Sequence, residues 1–476
     1  MNKNTRLLFS TFCAAFLTAV PLFADIKLPA IFGNNMVLQR ETDVAIWGTA
    51  DTNATVKVIT SWNNKKYKTK ADSNGHFKLK VATPKAGGPY NVKISDGKAL
   101  TLENVLIGEV WLCSGQSNMQ MPVRGYNNQP VIGSLDAVLE STNPNLRLFN
   151  VGMAASITPR EDFKGKWDMA EPETTPGYSA TAYFFGRLLQ KTLNVPVGLI
   201  TSSWGGTTIQ PWMNDTACQE FEFYKNIKRD TAFAKNPPKV PTTLFNAMIN
   251  PMVGYGIRGA IWYQGESNKW EPEAYQRLMP AMIKGWRTQW QQGDFPFYYA
   301  QVAPHGKNDV LPNGGFLREA QLKAAEGLPN VGMACTMDLG EQFCIHPSSK
   351  EIGSKRLAYL ALSETYGIKG IYPYSPVFKE IVIKNDTAKI TFDKAPYGLN
   401  SFGKELSLFE MAGADKVFYP AKATIIANAT IIVKSESVKE PVAVRYAFKN
   451  FVVGDLFGTN GLPVSSFRTD DWVRDK

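Results

Sequence analysis

The run Val105 to Cys113 is apolar at nearly every position and is cut off by Ser114-Gly115-Gln116-Ser117-Asn118. An uninterrupted run of this length predicts a strand buried on both faces, the kind that sits inside a helix-covered sheet. Gly-Gln-Ser-Asn predicts a tight turn at its carboxyl end. In open α/β sheets that edge is where reacting ligands bind. Ser117 is therefore placed with its Oγ leaving the sheet and its own N–H able to help hold an oxyanion. Ser114 is the neighbouring competitor, but it precedes the turn. A purely structural Ser/Asn turn would look the same, so further segments must decide.

Around this strand the chain changes pattern twice. Residues 25–104 read as short alternating strands (Val44 to Trp47, Val56 to Ile59, Phe77 to Val81, Tyr90 to Ile94) separated by turns such as Asp72-Ser73-Asn74-Gly75. That predicts an antiparallel β-sandwich. Residues 105–370 alternate strand, loop and helix. Strands are expected at Pro196 to Thr201, Ile257 to Gln264, Phe297 to Val302 and Val331 to Asp338. Helices are expected at Tyr275 to Trp290, Phe316 to Glu326 and Ser348 to Tyr366. This predicts a parallel sheet with helices on both faces. Strands return over 371–476, a β-rich region that either stands alone or joins the sandwich.

Two more strand ends carry polar motifs, Trp262-Tyr263-Gln264-Gly265-Glu266-Ser267-Asn268 and Asp338-Leu339-Gly340 with Ile345-His346-Pro347. With Ser202-Ser203-Trp204-Gly205-Gly206-Thr207 they give four separated motifs in one order. The set resembles the SGNH-hydrolase superfamily and, within it, the sialate O-acetylesterase family. The likeness extends from Leu28-Pro29 and Met36-Val37-Leu38-Gln39-Arg40 to Phe467-Arg468-Thr469. The resemblance implies a flavodoxin-like α/β catalytic domain and a serine esterase that removes O-acetyl groups from carbohydrates, with O-acetylated sialic acids favoured. Acetylated plant polysaccharide (xylan or xyloglucan) is the alternative substrate. A non-catalytic glycan-binding protein is the alternative of another class.

Acyl transfer needs a nucleophile, a base and oxyanion donors. The chain has three histidines. His76 lies in a turn of the β-domain, and His305 follows a catalytic-domain strand as a possible substrate contact. His346 follows the last strand and leads into a helix, whose positive end disfavours imidazolium. Position and family motif both select it as base. The family commonly carries an acid two residues before this histidine, where this chain has Cys344. Three orienting groups are open: Asp338, a backbone carbonyl in a Ser-His dyad, or Glu341. Oxyanion candidates are the Ser117 N–H, the Gly205 N–H and the Gln264 side chain, with Gly206 and Asn268 as rivals. Arg318 matches a family pattern and is a candidate ligand for a substrate carboxylate. Trp204 and Asn268 are further substrate candidates, and Trp212 and Trp270 could stack on a sugar. Glu266 has no paired carboxylate to make a glycosidase of it. No zinc spacing or phosphate-cradling glycine loop is present, so no cofactor or metal is expected.

Composition is that of a globular protein, 44% hydrophobic and 20% charged. Residues 1–24 are set apart: Lys3 and Arg6 precede the apolar run Leu7 to Phe23, which closes at Ala24. This predicts a signal peptide, a periplasmic or secreted product and no membrane insertion after cleavage. The net charge of +10 comes from lysines that alternate with apolar residues, as in Phe77-Lys78-Leu79-Lys80-Val81. These are solvated strand faces, not a nucleic-acid stripe. Four cysteines follow the leader. Cys113 reads as a buried small hydrophobe, and a Cys335–Cys344 bridge would pin the loop before His346. Oligomeric state is not legible.

Overall fold

The computed structural model describes residues 25–427 and 429–473, so the predicted leader lies outside the described residues. The apolar run forms the second half of a 17-residue strand, Ala99–Gly115, buried throughout from Val105 onward. Its residues 99–107 pair antiparallel with Gly87–Ser95, and its residues 106–108 pair in parallel with Val37–Gln39, both of the N-terminal region. Its second half pairs in parallel with Val197–Ser203 and Gly259–Tyr263. The boundary expected at 104/105 therefore falls inside one continuous strand, and the two regions share a sheet.

Across the parallel sheet the strands run Val331–Ala334, Phe297–Ala300, Gly259–Tyr263, Ala99–Gly115, Val197–Ser203 and Asn143–Asn150, with Trp167–Ala170 antiparallel at the edge. Helices Ala180–Leu193, Pro272–Trp290, Gly314–Ala324 and Lys350–Leu360 follow these strands. The expectation of a mixed α/β fold with a parallel sheet is met. The last two strands of that order were not expected, because Asn143-Pro144-Asn145 and Asp168 break their apolar runs.

In the N-terminal region, Asp43–Thr49 pairs with His76–Ala82 while Thr55–Thr60 joins the larger sheet. Their inward residues, including Val44, Ile46, Val58, Leu79 and Ile94, share one core. The C-terminal region builds its own seven-stranded sheet, from Val377–Lys384 to Phe467–Arg468. Its core of Ile390, Phe409, Ile431, Val444 and Tyr446 also takes in Cys335 and Met337, which follow the last catalytic strand.

A buried carboxylate joins the regions. Glu109 is fully buried and accepts from Gln39 Nε2 (3.1 Å), Arg40 Nε (2.5 Å), Arg258 Nε (2.7 Å) and the Tyr366 hydroxyl (3.0 Å). A charge removed from water is tolerated only when its lone pairs are occupied in this way.

Candidate active site

Four loops leave the carboxyl ends of adjacent parallel strands and meet at one edge. At the first, Gly115 has φ +144°, and a Cβ there would lie 2.2 Å from the Tyr263 carbonyl oxygen. Only glycine fits, and its backbone lets Gln116 N–H donate to Tyr263 O (3.0 Å) as the chain turns out of the sheet. A four-residue helix then starts at Ser117, so the Ser117 N–H has no intrahelical acceptor. Ser117 is half-buried, and Gly205, on the neighbouring loop, is so near that a Cβ there would lie 3.2 Å from Ser117 Cβ.

His346 reaches the same place from the loop after Val331–Ala334. Its ring meets the Tyr126 ring edge-on at 5.3 Å, and the Tyr126 hydroxyl lies 3.4 Å from Ser117 O. His346 Nδ1 is 2.5 Å from Gln129 Oε1. An amide oxygen can only accept, so Nδ1 carries the proton and Nε2 keeps its lone pair. Nε2 is buried and has no hydrogen-bond partner. Burial first, then the Lys350 ammonium and His305, push the imidazole pKa down to about 4, so the ring is neutral at pH 7, as a general base requires.

None of the three orienting groups expected from sequence holds His346. Asp338 forms a two-pronged ion pair with Arg356, both contacts at 2.6 Å, which corrects its placement in the catalytic set. Glu341 accepts from the N–H and hydroxyl of Ser348. The acceptor is a side chain, Gln129, and not a backbone carbonyl. Gln129 sits on a hairpin closed by reciprocal backbone bonds with Tyr126, both at 3.0 Å. The Cys344 thiol, at the family's acid position, donates to His346 O (3.2 Å). Cys335 and Cys344 are both free thiols, so the loop is not pinned by a bridge.

The other candidates divide. The Gly205 N–H points at an oxygen, Gln120 Oε1, at 2.8 Å, the distance an oxyanion would take. The Gln264 side chain, in contrast, is fully buried and donates to Thr207 O (3.2 Å) and Asn268 Oδ1 (2.8 Å). Asn268 is equally buried, bonded to Ile209 N–H and Gln210. Both brace the loops from behind, which corrects their assignment to the oxyanion hole and to substrate contact. Arg318 is 1% exposed. Its guanidinium donates to Ser466 Oγ (3.0 Å) and to the carbonyls of Ala447 and Lys449. It fastens the C-terminal region to the catalytic domain and offers nothing to a substrate carboxylate. Trp204 is half-buried beside Gly205 and packs against the core, whereas Trp212 is fully buried in it. His76 pairs with Glu161 far back in the β-domain, and His305 Nδ1 lies 3.1 Å from Glu341 O. Among the described residues no cluster of His, Cys, Asp and Glu has a metal-binding arrangement.

Residues 107–359, more than half of the chain, match the family model for carbohydrate esterases described as sialic acid-specific acetylesterase. The chain belongs to this family. It is an esterase. The sialate O-acetylesterase of Homo sapiens is 31% identical over 75% of this chain and 74% of its own length. That of Rattus norvegicus is 29% identical over 89% of each. A carbohydrate acetylesterase from Xanthomonas citri has a solved structure that superposes with a TM-score of 0.85 at 33% identity, covering 94% of this chain and all of its own.

Proposed function

We propose that this esterase removes O-acetyl groups from carbohydrates, O-acetylated sialic acids first among them, through an acetyl-serine intermediate. Ser117 Oγ attacks the acetyl carbonyl as its proton passes to His346 Nε2. The tetrahedral oxyanion is held by the Ser117 and Gly205 N–H groups once substrate displaces Gln120 Oε1. Collapse expels the sugar hydroxyl, which takes the proton from His346. Water activated by the same Nε2 then releases acetate. Gln129 keeps Nδ1 protonated and the ring oriented throughout. The observation that carries this reading is the buried, unpartnered Nε2 of His346, on a loop whose Ile345 carbonyl accepts from Asn118, the residue after Ser117. It also argues against a non-catalytic glycan-binding role.

The strand order supports a flavodoxin-like SGNH domain. Numbered along the chain with Asn143–Asn150 and Trp167–Ala170 left out, the sheet reads 2-1-3-4-5. The leader supports export, and the mature chain is expected to begin at Asp25. Among the described residues no helix is long and apolar enough to cross a membrane.

The internal position of Arg318 favours keeping a second substrate in view, acetylated xylan or xyloglucan, whose neutral sugars need no cationic ligand. Comparing wild-type kcat/KM on O-acetylated sialic acid with that on acetylated xylo-oligosaccharides decides between them. A higher value on the sialic acid supports the first reading, and a higher value on the xylo-oligosaccharide overturns it while leaving the ester chemistry.

A further inference from the structure

Behind the nucleophile lies a charged cluster that the proposed reaction does not use. Asn118, next to Ser117, is fully buried. Its Oδ1 accepts from Lys350 Nζ (2.5 Å), and its Nδ2 donates to Glu266 Oε1 (2.5 Å) and to the carbonyl of Ile345 (3.2 Å), the residue before His346. Lys350 opens the helix Lys350–Leu360, four residues after His346, is 3% exposed and lies over the Tyr263 ring. Glu266 Oε2 is buried without a partner. An ammonium and a carboxyl removed from water are costly, and a core could be filled by apolar residues instead.

We propose that Lys350 and Glu266, joined through Asn118, are positioning residues of the esterase reaction, setting the Ser117 turn in register with the His346 loop. This rests on Ser117 and His346 being nucleophile and base. One amide reaches three loops: Lys350 and Glu266 fix which way it faces, and its remaining donor holds the histidine loop. Because Lys350 can only donate, Asn118 Oδ1 must face it, and Nδ2 must then face Glu266 and Ile345.

The cluster also acts on His346 through charge. The groups around the imidazole are Lys350 on the following helix, His305 and Glu341 on the adjoining loops, Tyr126 and Gln129 on the hairpin, Cys344 on its own loop, and Glu266 beyond Lys350. Among them Lys350, and after it His305, disfavour imidazolium by charge. Burial lowers the Lys350 pKa to about 7 while Glu266 supports its charge, and burial raises that of Glu266.

The test is kcat, KM and the pH profile of kcat/KM on p-nitrophenyl acetate for wild type, Lys350→Met, Glu266→Gln, Glu266→Ala and Ser117→Ala. Lys350→Met is expected to lower kcat about 10- to 100-fold with KM within about threefold. Its acid limb should move up by about one pH unit, as removing a neighbouring cation raises the imidazole pKa. Glu266→Gln, whose oxygen still accepts from Asn118, should keep most of kcat, and Glu266→Ala should lose it. A folded Lys350→Met with wild-type kcat and acid limb overturns the proposal, as does a wild-type Glu266→Ala. If Lys350→Met does not fold, the Lys350→Met/Glu266→Gln double variant, which carries neither charge, replaces it with the same kcat loss expected and the same wild-type kcat overturning the proposal. Retained activity in Ser117→Ala instead overturns the esterase mechanism itself, so the two failures are distinct.

Discussion

His346 Nδ1 is held by Gln129 Oε1 at 2.5 Å, so a neutral amide and not a carboxylate orients the ring. The amide fixes tautomer and orientation but contributes no charge to stabilise imidazolium. Gln129→Ala is expected to lower kcat about 10- to 1,000-fold, less than the roughly 10,000-fold of a wrong imidazole tautomer. Gln129→Glu should retain activity and move the acid limb of kcat/KM to higher pH, because a carboxylate favours the protonated ring. Wild-type kcat in Gln129→Ala would remove the residue from the mechanism.

The acid limb itself is a prediction. A base with its pKa lowered to about 4 stays neutral as pH falls, so kcat/KM should hold from pH 7 to about 5 and drop near 4, not at the usual histidine value of about 6.5. The same shift affects stability. Between about 4 and 6.5 the unfolded chain binds a proton at this histidine that the folded chain does not, so this contribution to stability is lost as pH falls through that window. Urea unfolding at pH 7 and pH 5 for wild type and His346→Ala isolates it. Equal losses of stability in the two proteins would contradict the shift.

Asp338→Asn separates structure from chemistry. Its ion pair with Arg356 predicts a loss of about 1–3 kcal/mol of stability, with kcat of the folded variant within about threefold of wild type. A fall in kcat approaching 10,000-fold with unchanged stability would return Asp338 to the catalytic set.

Gly205→Ala places a Cβ 3.2 Å from Ser117 Cβ and 3.1 Å from Gln120 Oε1. The crowding falls on the nucleophile and on the expected oxyanion position. A loss of about 100-fold in kcat is expected, with little change in melting temperature. Full activity would move the donor to Gly206.

Ser117 and His346 were legible as candidates because each stands out in the local pattern of the sequence. Ser117 stands where an apolar strand stops, and three histidines leave few choices. Gln129 was not legible: it lies 217 residues from His346 in sequence, in a hairpin with no periodic signal. Gln264 and Asn268 occupy the expected strand end, but the side of the loop they face depends on packing against Thr207 and Gln210. Arg318 shows the same limit from the other direction. A helical pattern marks its position, yet its partners Lys449 and Ser466 belong to a region whose docking only the fold reveals. That one strand runs across 104/105 was not legible, because a strand can change pairing partners without changing its own character.

The central claim, acyl transfer through Ser117, is tested most directly by kcat/KM of Ser117→Ala on p-nitrophenyl acetate, with the melting temperature measured alongside. The mechanism predicts a folded protein with activity at least about 1,000-fold below wild type. A folded Ser117→Ala enzyme turning over at near the wild-type rate would contradict it and leave Ser114 as the next nucleophile to test.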